Sequence, residues 1–146
     1  MKIRAVAASL LLILASFAAL ADNHAGILNA NDATAEQIAA LPMVNDTLAQ
    51  AIVNNRPFAT IGDLHKMLSA ALGEAQLEQL YSRLFVPIDL NSASEEDIML
   101  IPGVGSKMAH EFEEYRPYSS MEQFRREIGK YVDEEEVARL EQYVTL

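Results

Sequence analysis

From residue 34 onward, apolar residues recur in short bursts at helical spacing, each bounded by a residue that starts or stops a helix. Thr34 and Gln37 make a capping-box pattern ahead of Ile38 and Leu41. Pro42 stops that run, because the residue before a proline is pushed out of the helical region. Leu48, Ala49 and Ile52 form a second amphipathic stripe, ended by Arg56-Pro57. Thr60 stands as N-cap of a third helix that buries Ile61, Leu64 and Leu68. A fourth carries Leu77, Leu80 and Leu84. The pattern predicts an all-α unit of four short helices.

Shifted by 60 residues, the chain aligns with itself without a gap. Asn31 falls on Asn91, Glu36 on Glu96, Ile38 on Ile98, Pro42 on Pro102, Val44 on Val104 and Arg56-Pro57 on Arg116-Pro117. In the second copy, Ser94 and Asp97 supply an acidic capping box, with Ile98 and Ile101 on the buried face. Met108, Ala109, Phe112 and Tyr115 mark its second helix. Ser120 with Met121, Phe124 and Ile128 marks the third, and Val137, Leu140 and Val144 the fourth. The run from Asp133 to Glu136 sits at a helix start, where acids suit the positive end of the macrodipole. The fold class expected is therefore all-α, in two tandem units over residues 22–87 and 88–146. Phe85-Val86-Pro87-Ile88-Asp89 is too short and too apolar for a free linker, so the units are expected to pack together.

Ahead of the repeats, Lys2 and Arg4 precede an apolar run from Ala5 to Leu20, closed by Ala19-Leu20-Ala21. Residues 1–21 read as a secretory signal peptide rather than part of the fold. No cysteine is present, so an exported domain would hold together by packing alone. Removing Lys2 and Arg4 with the leader leaves 9 basic against 21 acidic residues, a formal charge of −12. Such a surface works against anionic partners.

The chemistry concentrates at Ile101-Pro102-Gly103-Val104-Gly105-Ser106-Lys107. Gly-x-Gly makes a tight turn, with Gly105 expected to need positive φ, and Ser106 opens a helix whose first N–H groups point outward beside a lysine. Asp89-Leu90-Asn91-Ser92, the hairpin and Arg116-Pro117-Tyr118 together resemble the helix-hairpin-helix family. The likeness is nearest to the secreted ComEA-type competence proteins and more distant to PsbU, the small extrinsic photosystem II subunit. It covers residues 88–146 well and 28–86 in degraded form. The resemblance implies that Gly103, Val104, Gly105 and Ser106 form a backbone cradle for DNA phosphates, with Lys107 as the ionic contact. Repeat one departs from this: Met43 and Asn45 replace the glycines, Asp46 replaces Ser106 and Thr47 replaces Lys107. Between the third and fourth helices a further hairpin is degenerate in both copies, at Leu68–Leu72 and Ile128–Val132.

Nothing in the spacing points to catalysis. His24, His65 and His110 stand in no metal-ligand spacing, and no phosphate-loop or dinucleotide fingerprint occurs. Glu111, Glu113 and Glu114 read as a solvated helix face. A non-enzyme with no metal, cofactor or small-molecule substrate is expected. Two functions stay open: weak, sequence-independent binding of double-stranded DNA through repeat two, with Arg125, Arg126 and Lys130 joining Lys107 in a patch; or an acidic module that binds a protein partner. The leader generates a first prediction. The secreted or periplasmic protein begins at Asp22 by mass spectrometry, and an intact Met1 on membrane-embedded material would contradict this.

Overall fold

Every element boundary in the first repeat recurs 60 residues later in the second. The computed structural model describes residues 26–146. The leader and His24 lie outside the described residues. Repeat one runs β1 (Leu28–Asn29), α1 (Ala35–Ala39), α2 (Asp46–Asn54), α3 (Ile61–Leu68), α4 (Glu74–Tyr81) and β2 (Leu84–Phe85). Repeat two runs β3 (Ile88–Asp89), α5 (Glu95–Met99), α6 (Ser106–Glu114), α7 (Met121–Ile128), α8 (Glu134–Glu141) and β4 (Val144–Thr145). The described residues are mostly helical, with eight helices in two tandem units. Among the described residues no helix is long and apolar enough to cross a membrane.

The starts expected of the helices are built as the sequence implies. Thr34 and Gln37 complete a reciprocal capping box. Thr60, Ser94, Ser120 and Asp133 each accept a hydrogen bond from the N–H three residues on. The buried stripes meet in one cluster that runs through both repeats, from Ile38, Ile52, Leu64 and Leu80 to Ile98, Phe112, Phe124 and Leu140. Phe112 and Phe124 meet edge to face at 5.2 Å between ring centroids, a favoured aromatic geometry.

Leu84 and Val144 correct the expectation for the fourth helix. They continue its four-residue rhythm, yet α4 ends at Tyr81 and α8 at Glu141, and both residues lie in strands. β1 pairs parallel with β2, and β3 with β4, in the registers Leu28↔Leu84 and Ile88↔Val144. Ala30 N–H donates to Phe85 O, and Leu90 N–H to Thr145 O, at 2.8 and 2.9 Å. Each repeat is thus sewn shut at its two ends, the four helices serving as the crossover that a parallel pair requires.

Asparagine and arginine fasten the interior. Asn31 exchanges two hydrogen bonds with the backbone of Phe58, and Asn91 does so with Tyr118. Arg56 donates to the carbonyls of Ala30 and Ala33, and Arg116 to those of Leu90 and Ala93. Both Arg–Pro peptide bonds are cis.

The repeats meet through specific contacts. Phe85 stands edge-on to Tyr143 at 4.8 Å, and the junction residues Val86 and Ile88 are buried. Asp97 departs from its counterpart Gln37. Its backbone completes the Ser94 cap, but its side chain crosses to repeat one, where Oδ1 accepts the Gly62 N–H at 2.9 Å. Asp97 is buried, and a Cβ on Gly62 would stand 2.7 Å from that oxygen. Asp97→Ala leaves a first-turn N–H of α3 without its acceptor. It is expected to cost about 1–3 kcal/mol, read as a lowered urea midpoint. An unchanged midpoint would show the contact to be dispensable.

Candidate nucleic-acid interface

The hairpin between α5 and α6 is shaped by one left-handed residue and one buried plug. Ile101 and Val104 are buried, and Val104 N–H donates to Ile101 O at 3.0 Å inside the turn. Val104 is therefore the anchor of the cradle rather than one of its open donors. Gly103 takes the positive φ, at +80°, whereas Gly105 is extended at φ −98°, ψ 178°. This corrects the expectation that Gly105 needs a left-handed backbone. The first glycine supplies the turn. The second ends it in the extended conformation that an N-cap adopts before a helix.

Repeat one reaches the same shape without glycine. Met43 sits at φ 67°, and Asn45 is an ordinary extended N-cap. A side chain forced left-handed costs about 1–2 kcal/mol. Met43 tolerates this because the turn around it is fixed by the buried Val44 and the bracketed helices.

The functional difference between the hairpins lies at the helix starts. Asn45 Oδ1 accepts the Leu48 N–H at 2.8 Å, and Asp46 places an acid in the first turn of α2. Gly105 has no side chain, so among the described residues the N–H groups of Ser106, Lys107 and Met108 donate to no partner. Of the eight helices described, α6 is the one whose first turn holds no acid. Gly103, Gly105, Ser106 and Lys107 are exposed, and Lys107 makes no ion pair among the described residues. Open N–H groups, the positive end of a nine-residue helix and a free ammonium thus coincide.

The expected basic patch does not form. Arg125 is held by Glu141, while Arg126 and Lys130 share Glu127. Those two cations hold the Glu127 carboxyl below its ordinary range, Lys130 having the larger effect. Arg125 and Arg126 also line a separate depression between α7 and α8. Carboxylates one to sixteen residues away were close enough in space to claim these charges.

Tertiary structure brings other groups to the hairpin. Arg139 Nη2 lies 3.6 Å from where a Cβ on Gly103 would stand, although its guanidinium is bonded to Glu136 at 2.6 and 2.7 Å. Gly103, Val104 and Gly105 also form one wall of an inter-repeat cleft of about 420 Å³. Its opposite wall, from α4, carries Glu74, Glu78, Leu77 and Tyr81, with His65 bonded to the Tyr81 hydroxyl at 2.9 Å. The helical spacing of Glu74 and Glu78 put them on one face; nothing in the sequence aimed that face at the other repeat's hairpin.

The two glycines separate by mutation. Gly103→Ala is expected to lose about 1–2 kcal/mol of stability, because alanine resists positive φ. Gly105→Ala meets nothing within 4 Å and gives up only glycine's preference at the N-cap, so it is expected to lose less than Gly103→Ala. Equal melting temperatures for the two variants would refute this division of labour.

No curated protein and no solved structure matches the chain. The family model for the helix-hairpin-helix motif matches it twice, over residues 23–85 and 84–145. Motifs of this kind are associated with nucleic-acid binding in general. The chain belongs to the helix-hairpin-helix family, of which it carries two tandem copies.

Proposed function

We propose that the protein is an exported, ComEA-like DNA binder that holds duplex phosphates at the repeat-two hairpin without reading bases, in a role compatible with DNA uptake. The observation that carries this reading is the start of α6. Among the described helices it alone combines a glycine N-cap, a first turn free of acid and a lysine with no ion pair, where repeat one closes the same place with Asn45 and Asp46. In this reading Gly105 lets a phosphate oxygen approach, the N–H groups of Ser106, Lys107 and Met108 receive it, and Lys107 adds charge. Such contacts fix position and affinity but carry no sequence information. The leader and the competence-type likeness support export. No catalytic step is assigned to the chain.

The acid wall of the cleft favours a second reading, an assembly module whose partner is a basic protein. Glu74 and Glu78 face the hairpin and carry no cation among the described residues. The two readings part on electrostatics. If phosphate binds the hairpin, these acids oppose it, and removing them tightens binding.

Fluorescence anisotropy with labelled duplexes tests both. The parent is expected to bind unrelated sequences alike, on the order of 10⁻⁴ to 10⁻⁶ M, with a salt slope of about −0.9 per phosphate contacted. Lys107→Glu lowers affinity for every sequence and reduces that slope by about one, while Thr47→Glu has little effect. Glu74→Gln with Glu78→Gln raises affinity at low salt. A folded Lys107→Glu that binds like the parent would reject the hairpin as the working surface. Undetectable binding of the parent at low salt would leave the assembly reading.

A further inference from the structure

A second depression, of about 550 Å³, opens beside the start of α6 and is lined by Gly105, Ser106, Lys107, Met108, Glu111 and Tyr131. Tyr131 reaches it from the α7–α8 connection and is 47% exposed, one of three large apolar side chains so exposed among the described residues. It is exposed but held. Its hydroxyl shares a 2.8 Å hydrogen bond with that of Tyr115, whose ring in turn carries Lys130 Nζ 4.7 Å from its centroid. Glu111 lines the same depression, with its Oε2 screened from solvent, and its carboxylate lies close enough to the Tyr131 hydroxyl to push that phenol's pKa up.

The internal repeat shows that the fold does not demand this cluster. Where structure requires a residue, the copies agree, as at Asn31 and Asn91 or Arg56 and Arg116. Here Lys107, Glu111, Tyr115, Lys130 and Tyr131 correspond to Thr47, Ala51, Asn55, Ala70 and Ala71. The same backbone positions in repeat one fold with four of the five side chains small and uncharged and none aromatic. The cluster is therefore free to serve a ligand.

Its chemistry is that of a nucleotide with its base unpaired. A tethered tyrosine face suits the π-surface of a base, and Lys107 suits the phosphate. In an intact duplex the base faces are covered by their neighbours, so only a single strand or a frayed end presents one. We propose that Tyr131 is a stacking platform for an unpaired base, so that the protein binds single-stranded DNA more tightly than blunt duplex. The proposal rests on the phosphate reading of the α6 start.

The test is anisotropy with one labelled single strand of mixed sequence and with the blunt duplex containing it, at low salt. The parent is expected to prefer the single strand. Tyr131→Ala, checked by thermal melt, narrows the gap between the two forms by about five-fold or more, the lower end of what base stacking contributes. Tyr131→Phe, which keeps the ring, retains the gap. Lys107→Glu weakens both forms, which separates the phosphate contact from the stacking contact. Equal binding of both forms by the parent, or a gap that survives Tyr131→Ala, overturns the platform while leaving the phosphate reading standing. Binding of neither form overturns both.

Discussion

The bracket formed by Asn91 and Arg116, and by Asn31 and Arg56 in the first copy, is the constraint on which the hairpins depend. A hairpin of a five-residue and a nine-residue helix has too little apolar surface to set its own angle. The arginine crosses from the end of the longer helix to carbonyls on either side of the loop that precedes the shorter one. Hydrogen bonds from a charged donor are stronger than neutral ones, and buried carbonyls left without them would be costly. The asparagine pins the same loop to the segment after the cis Arg–Pro bond. With both ends of the hairpin fixed, its turn is free to depart from good local chemistry, as Met43 shows.

Freedom at the turn is what the two copies have used differently. Repeat one caps its own helix and places an acid there, so one of its donors is occupied and its positive end is opposed by a negative charge. Repeat two leaves the N-cap bare and the first turn free of acid. The remaining cations of repeat two are tied to carboxylates on their own helices or on the one opposite, so the protein's large negative charge coexists with one small site of opposite character. The site is local because its donors are backbone groups, whose direction is set by helix geometry rather than by net charge.

Asp97 shows how the copies became one structure. Its counterpart Gln37 bonds back to Thr34 and serves its own helix, whereas the shorter Asp97 side chain caps α3 of the other repeat. Gly62 makes room for it. That contact ties α5, the first helix of the second hairpin, to α3 of the first repeat.

The sequence by itself determined the period of 60, the helix starts at Thr34, Thr60, Ser94 and Ser120, and the buried stripes. All of these are local: a cap involves residues three apart and a stripe residues three or four apart. It also singled out the Gly103–Lys107 hairpin, because glycine spacing is visible in one dimension. Only the tertiary structure decided that Leu84 and Val144 pair as strands, since an apolar residue four after another reads the same in either state. Only it decided that Gly103 and not Gly105 is left-handed, because both positions precede a helix and the choice follows from how Val104 is plugged into the core. It also decided that Arg125, Arg126 and Lys130 are neutralised, and that Glu74, Arg139 and Tyr131 converge on the hairpin. Electrostatics acts through space, and those distances are set by the packing of elements that lie far apart along the chain.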